Sequence, residues 1–126
     1  MSLIGQHATA RFGVVAEPAD IRAFATSIGA DPISARLPTT YPIRWLTRPE
    51  VVALVRTLAA DKPSALPVHE LQTVETVAPL PIGVPLSIAV TAARTDDVHV
   101  TLEAVVTDAA DDHVLVRLHS LLRLFA

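Results

Sequence analysis

The side chains able to do acid–base or metal chemistry in this sequence are chiefly five histidines. They are His7, His69, His99, His113 and His119. No two of them have the i, i+4 spacing that places a pair of metal ligands on one helix face. There is no cysteine and no Gly-x-Ser-x-Gly motif, and four glycines cannot form a glycine-rich phosphate loop. We therefore expect no metal site, no thiol nucleophile and no bound cofactor.

Composition narrows the function classes further. The formal charge is -3, no basic cluster is present, and aromatic residues make up only 4% of the chain, so a nucleic-acid-binding surface is not expected. No apolar run approaches the roughly 18 residues needed to span a membrane. The N-terminal residues lack the basic segment followed by an apolar stretch that is typical of a secretory signal. The absence of cysteine suits a reducing compartment. The expectation is a cytoplasmic protein with a single domain over residues 1–126.

The first half of the chain has helical patterns. A short strand is predicted over Thr9–Ala16, followed by a helix that Pro18 opens and Gly29 ends. Leu37–Leu46 contains two prolines and is expected to cross irregularly. Thr47-Arg48-Pro49-Glu50 then matches a capping box with Thr47 as the N-cap, and apolar residues at helical spacing follow it.

The second half changes to a period of two. Val68–Val77 is predicted as a strand, and three further alternating segments follow, separated by the acidic pairs Asp96-Asp97 and Asp111-Asp112. Three consecutive strands with tight turns predict an antiparallel meander. One strand, two helices and four strands make an α+β domain.

Several segments resemble the MaoC-like acyl-thioester hydratases, which have the hotdog fold. Glu17–Pro32 (EPADIRAFATSIGADP) resembles their opening helix, and Thr40–Val55 (TYPIRWLTRPEVVALV) resembles the second helical segment of divergent actinobacterial relatives. Leu66–Gly83 (LPVHELQTVETVAPLPIG) resembles their "hGeQ…PLxxG" strand and turn, and the closing LHSLLRLF resembles their last hairpin. The resemblance implies a single hotdog domain: a curved antiparallel sheet wrapped around a helix, with a second helix.

The catalytic pair of that family has no counterpart here. Active members follow the first helix with a Gly-Asp-x-Asn-Pro-x-His loop, whose carboxylate and imidazole activate a water. The resemblance places Ser34 where the histidine belongs and Ala30 near the position of the aspartate. Asp31, Ser34 and His69 are the remaining candidates for displaced catalytic groups. Asp31 equally suits an Asx turn before Pro32, and a loop serine usually bonds its own backbone.

The acyl carriers implied by the resemblance bring phosphates, which arginines bind. Arg36 and Arg44 are the candidate substrate-binding arginines, with Arg48 beside them, and ordinary surface charge is the alternative. Tyr41 and Trp45 lie in the same segment and are expected to line a pocket wall or a dimer seam.

Two functions stay open from the sequence. The first is a non-catalytic or accessory subunit that binds an acyl thioester, carried by coenzyme A or a carrier protein, beside a catalytic hotdog partner. The second is an enzyme, a hydratase, dehydratase or thioesterase that uses displaced groups. Because a single hotdog sheet exposes an edge, a homodimer or heterodimer is expected.

Overall fold

Residues 3–17 and 41–125 are described in the computed structural model, apart from the side chain of Tyr41. Five strands form one antiparallel sheet: β1 (His7–Val15), β2 (Leu66–Thr76), β3 (Pro85–Arg94), β4 (His99–Asp108) and β5 (Val114–Phe125). Their spatial order is β1-β3-β4-β5-β2, which places β1 and β2 at the two edges. The predicted meander is confirmed as β3, β4 and β5, which pair in sequence order.

One face of the sheet is apolar because the central strands alternate strictly. On β3 the inward residues are Leu86, Ile88, Val90 and Ala92, and on β4 they are Val100, Leu102, Ala104 and Val106, all buried. Their neighbours in sequence point to the opposite face and stay partly or fully exposed. The hydrophobic core therefore lies on one side of the sheet only.

Two helical segments of the described residues precede β2. A 3-10 helix covers Tyr41–Thr47, and an α-helix, α1, covers Pro49–Leu58. Val51, Val55 and Leu58 recur at i, i+4 and i+7 and are buried in the core cluster that α1 shares with the sheet. Burial of each stabilises the fold by roughly 2 kcal/mol.

The start of α1 differs from the predicted capping box. Arg48 is the N-cap residue and makes no side-chain cap hydrogen bond. The hydroxyl of Thr47 instead donates to the carbonyl of Arg44 at 2.7 Å, and Glu50 pairs with Arg48 at 3.2 Å. The 3-10 helix draws Thr47 into its own last turn, so the capping box is a wrong prediction. The segment Leu37–Leu46 is predicted to be irregular, but its described part belongs to this 3-10 helix.

Other sequence predictions fare differently. The acidic turns are confirmed: Asp96 Oδ1 accepts the backbone N–H of Val98 at 2.8 Å, and Asp112 takes the left-handed conformation at φ 60°. The predicted helix that Pro18 opens and Gly29 ends lies outside the described residues. The single-domain organisation of residues 1–126 stays a prediction. In the described ranges, no helix is long and apolar enough to cross a membrane.

Candidate functional site

A groove of about 840 Å³ runs between α1 with its following loop and the sheet. Its walls are one side of α1, the loop that leads to β2, the start of β2, and inward residues of β4 and β5. We call it the apolar groove. Its lining is Leu46, Thr47, Val51, Val52, Val55, Arg56, Ala59, Ala60, Pro63, Ala65, Leu66, Pro67, His69, Leu102 and Leu122.

The rim of the apolar groove is formed by exposed apolar side chains. Val52 and Leu66 are exposed there, and 66% of the residue surface of Leu66 is accessible. The polar residues in its lining are Thr47, Arg56 and His69, and no carboxylate lines it among the described residues. This groove is suited to hold an extended apolar chain.

His69 reaches the groove because β2 contains a β-bulge. His69 pairs with Leu122 and Leu71 pairs with Leu121, which leaves Glu70 between them without a partner on β5. Cross-strand partners share a face, so His69 faces the groove with Leu122 while Glu70 is displaced from the ladder. His69 lies on a strand, as the sequence predicts, and is an exposed residue of the groove lining, and a catalytic role for it stays a prediction.

A second groove, of about 630 Å³, adjoins the first at Thr47 and is called the arginine groove. It is lined by Gly13, Val14, Val15, Glu17, Arg44, Trp45, Thr47, Arg48, Pro85 and Leu86. The guanidinium of Arg48 lies 5.3 Å from the centroid of the Phe12 ring and pairs with Glu50, whereas Trp45 is buried in the core. Arg44 is exposed. The structure thus brings Arg44 and Trp45 to one concave surface, as a pocket wall requires.

Three sequence-predicted residues, Asp31, Ser34 and Arg36, lie outside the described residues. Tyr41 begins the 3-10 helix beside Trp45, and its side chain is not described. Catalytic or binding roles for all of the predicted residues therefore stay predictions.

Arg94 is a buried cation that sequence analysis missed. Its side chain is 0% exposed, whereas the carboxylate of its partner Asp61 is 37% exposed. Arg94 Nη1 donates to Asp61 Oδ1 at 2.7 Å and to the carbonyl of Leu58 at 2.8 Å. Nε donates to the carbonyl of Asp96 at 2.7 Å, and Nη2 donates to the carbonyl of Asp97 and to Asp61 Oδ2. The side chain therefore ties the carboxyl end of α1 to the β3–β4 turn.

The same contact changes the titration of Asp61. The hydrogen bond from Arg94 holds the pKa of Asp61 below its ordinary value of 3.8, with a smaller contribution from charge attraction to the same guanidinium. Arg94 also caps the last turn of α1, where carbonyl oxygens lack helical partners and a cation is favoured.

His99 lies between two carboxylates on the outer face of the sheet. Its Nδ1 is 2.8 Å from Asp96 Oδ2, and its Nε2 is 2.7 Å from Glu70 Oε1, the bulge residue of β2. The hydrogen bonds with Asp96, and then with Glu70, raise the pKa of His99 above its ordinary value of 6.5. The pKa of Asp96 is lowered, first by the backbone N–H of Val98 and then by His99. We call Glu70, His99 and Asp96 the histidine bridge.

His99 is partly shielded from solvent. It lies on the outer face, but only 21% of its side chain is exposed because the two carboxylates flank it. Within the described ranges, no group of three or more His, Cys, Asp or Glu side chains is arranged to hold a metal ion.

Comparisons with known proteins bear on the fold. No protein-family model matches the sequence, and no curated protein matches it significantly. Among solved structures, a chain of the HadBC (3R-hydroxyacyl-ACP dehydratase) complex from Mycobacterium tuberculosis superimposes with a TM-score of 0.68 at 14% identity, covering 96% of this chain and 97% of that one. A hot-dog-like protein from Thermanaerovibrio acidaminovorans gives 0.70 at 13% identity, with 98% and 85% covered.

A probable thioesterase from Bartonella henselae gives a TM-score of 0.67 at 15% identity, with 94% and 90% covered. Two (R)-hydratases are also among the similar structures. At these identities the likeness concerns the fold, and it agrees with the fold expected from the MaoC-like segments of the sequence. This chain therefore has the hotdog fold.

Proposed function

We propose that this chain is an acyl-thioester-binding hotdog subunit that holds an acyl chain without turning it over. The observation that carries the proposal is the apolar groove: about 840 Å³ of space whose described lining contains one histidine and no carboxylate. Its volume falls within the roughly 300–1,000 Å³ of small-molecule sites. A hydratase needs a carboxylate and an imidazole on one water, and this lining offers only half of that pair.

The sequence supports the same proposal. Ala30 and Ser34 stand where the resemblance expects the catalytic aspartate and histidine. Solved relatives of the fold include a dehydratase complex, hydratases and thioesterases, so acyl thioesters are the ligand class to test first. A cytoplasmic location, where such thioesters are made and used, is part of the proposal.

The arginine groove supplies a place for the carrier. It meets the apolar groove at Thr47, so an acyl chain in one groove can continue to a phosphate in the other. Arg44 and Arg48 carry the charge that suits a phosphate, and Glu17 in the same lining opposes it. We propose that the thioester lies near Thr47 with the carrier toward Arg44.

Oligomerisation is the other part of the proposal. β2 is an edge strand, and its described ladder pairs with β5 alone. Leu66, Val68 and Leu71 are exposed along it, which is a liability for a monomer and suits pairing with a second sheet. We propose a dimer through β2, formed with a second copy or with a catalytic hotdog partner.

The test is a paired measurement on the purified chain. Binding is followed with a dansyl-labelled fatty acid and its displacement by acyl-CoA, and turnover is followed as loss of enoyl-thioester absorbance with crotonyl-CoA and longer enoyl-CoA. We expect displacement by acyl-CoA with a Kd of about 1–10 μM and no hydration. Hydration by the wild-type chain would contradict the non-catalytic proposal, whether or not it survives Asp31→Ala and Ser34→Ala, and absence of binding would contradict the acyl ligand.

His69 at the rim of the apolar groove favours one alternative, an active hydratase, dehydratase or thioesterase. An imidazole beside a bound thioester can act as a general base. If the chain turns over enoyl- or acyl-CoA, His69→Gln should lower kcat by at least about 100-fold. Turnover unaffected by that substitution would remove His69 from the chemistry.

A further inference from the structure

The β-bulge of β2 and the buried Arg94 belong to one continuous network. Starting at the bulge, Glu70 contacts His99, and His99 contacts Asp96. The carbonyl of Asp96 accepts from Arg94 Nε at 2.7 Å. Arg94 then bonds Leu58 and Asp61 at the end of α1. The network joins the two walls of the apolar groove, namely β2 and the loop that follows α1.

Geometry alone gives the histidine bridge a preferred protonation state. A neutral imidazole has one N–H donor and one acceptor nitrogen, whereas carboxylate oxygens face both ring nitrogens of His99. Only the imidazolium can donate to both. Loss of its proton must therefore release one carboxylate, and Asp96 is the better anchored of the two because it also accepts from the backbone of Val98. Glu70 is the contact expected to open.

Charged groups from the neighbouring elements surround His99. Asp96 comes from the β3–β4 turn and Glu70 from β2. From β5, Arg123 is the cross-strand partner of His99 and opposes its protonation, but its guanidinium lies over the Phe125 ring, 5.4 Å from the centroid. Lys62 is engaged by Asp97 on the same turn, at 3.6 Å. Two carboxylates at hydrogen-bond distance outweigh these cations.

Glu70 matters to the groove because it is the extra residue of the bulge. The bulge makes His69 face the groove, and Leu66 and Pro67 in the same stretch line it. This stretch is an exposed edge, paired on one side to β5 within the described part of the chain. The Glu70 contact adds to the ladder a side-chain tie between this stretch and His99 of β4.

We propose that the histidine bridge fixes the β2 wall of the apolar groove, so that protonation of His99 controls whether the groove is formed to receive a ligand. The ligand-binding half of this inference rests on the proposed function. The raised pKa of His99 sets the direction of the pH dependence. The bridge stabilises the fold fully below the ordinary value of 6.5, and this contribution is lost as pH rises through the raised pKa. Acyl ligands should therefore bind more tightly at mildly acidic pH.

The first arm of the test needs no ligand. In ¹H–¹⁵N NMR of the full chain, the imidazole of His99 and the backbone amides of His69 and Leu71 are titrated together. We expect the two amides to titrate with the midpoint of His99, and to lose that step in His99→Gln and in Glu70→Gln. His119→Gln is the matched control, because His119 faces a single carboxylate at 3.7 Å. If the two amides do not titrate with His99, the proposal that its protonation fixes the β2 wall is wrong.

The second arm measures binding of the dansyl-labelled fatty acid at about pH 5.5 and about pH 9, below and above the ordinary imidazole range. We expect at least about fivefold weaker binding at the higher pH in the wild type and in His119→Gln, and a much smaller difference in His99→Gln. Reciprocity requires the fatty acid to raise the pKa of His99 by about 0.7. An equal pH dependence in His99→Gln would overturn the inference. Coupled amides without any binding would overturn the proposed function alone.

Discussion

Arg94 Nη1 and Asp61 Oδ1 lie 2.7 Å apart, although 33 residues separate them in sequence. The bridge joins a guanidinium with no exposed surface to a carboxylate at the surface, directly after α1. The guanidinium also donates to three backbone carbonyls, those of Leu58, Asp96 and Asp97. One side chain therefore holds a helix end, a loop and a turn together, and the loop is a wall of the apolar groove.

Replacing Arg94 by Met should destabilise the fold by about 3 kcal/mol, because buried carbonyls lose their donors. The measurement is urea unfolding followed by circular dichroism. Arg117→Met is the control: Arg117 is half-exposed, and its contact with Glu75 is 3.9 Å long, so a change within about 0.5 kcal/mol is expected. Equal effects of the two substitutions would show that the burial of Arg94 contributes nothing particular.

The Asp61 carboxylate gives the fold an acid-sensitive contribution. Its pKa in the folded chain is lowered by Arg94, so its contribution to stability is present above the ordinary value of 3.8 and is lost as pH falls through the lowered pKa. Asp61→Asn should flatten the pH dependence of unfolding in that acidic range. In the Arg94→Met background, Asp61→Asn should change the pH dependence of unfolding little. If Asp61→Asn still flattens that dependence there, the effect comes from a partner of Asp61 other than Arg94.

Filling the apolar groove should abolish acyl binding without unfolding the protein. Ala65 lines the groove and is only partly buried, so Ala65→Trp places an indole in the space for the ligand. We expect at least about tenfold weaker binding of the dansyl-labelled fatty acid. Ala110→Trp, in the exposed β4–β5 turn, is the matched control. Unchanged binding in Ala65→Trp would place the ligand elsewhere.

Charges on the β2 edge should dissociate the proposed dimer. Val68→Lys with Leu71→Lys removes two exposed apolar side chains and opposes like charges across a symmetric pairing. Light scattering after size exclusion should then report the monomer mass. Thr9→Lys adds a charge to the opposite edge, β1, and should leave the mass of the dimer unchanged. If only Thr9→Lys dissociates the protein, the interface lies at β1.

The meander was predictable because tertiary contacts reinforce its sequence pattern. Each inward position of β3 is apolar up to Ala92, and tight acidic turns punctuate the strands. The same alternation contained the signal for Arg94, which is the next inward position of β3 after Ala92. An arginine before Thr95 and two aspartates suggests a surface turn, and only the partners from α1 and its loop make its burial favourable.

The buried polar contact of Ser120 and the bulge at Glu70 were harder to predict than the strands. Ser120 lies on the inward face of β5 between Leu118 and Leu122, and its hydroxyl is satisfied by Gln72 from β2, a partner 48 residues away. The bulge at Glu70 likewise depends on the pairing of β2 with β5, and no local residue preference indicates it. The capping box failed for the opposite reason, since a matching local motif was overridden by the 3-10 helix before it.

The strand order also sets the route by which this chain can fold. β3, β4 and β5 pair with their neighbours in sequence, whereas His7 must find Ala93 and Leu66 must find Phe125. Loop-closure entropy makes such distant pairings late and slow. Nascent chains should therefore pass through a three-stranded species whose two outer strands are temporarily unprotected, and pulse-labelled hydrogen exchange should find amides of β4 protected before those of β1 and β2. The β2 border of the sheet, where the proposed partner and ligand bind, would be among the last parts of this molecule to form.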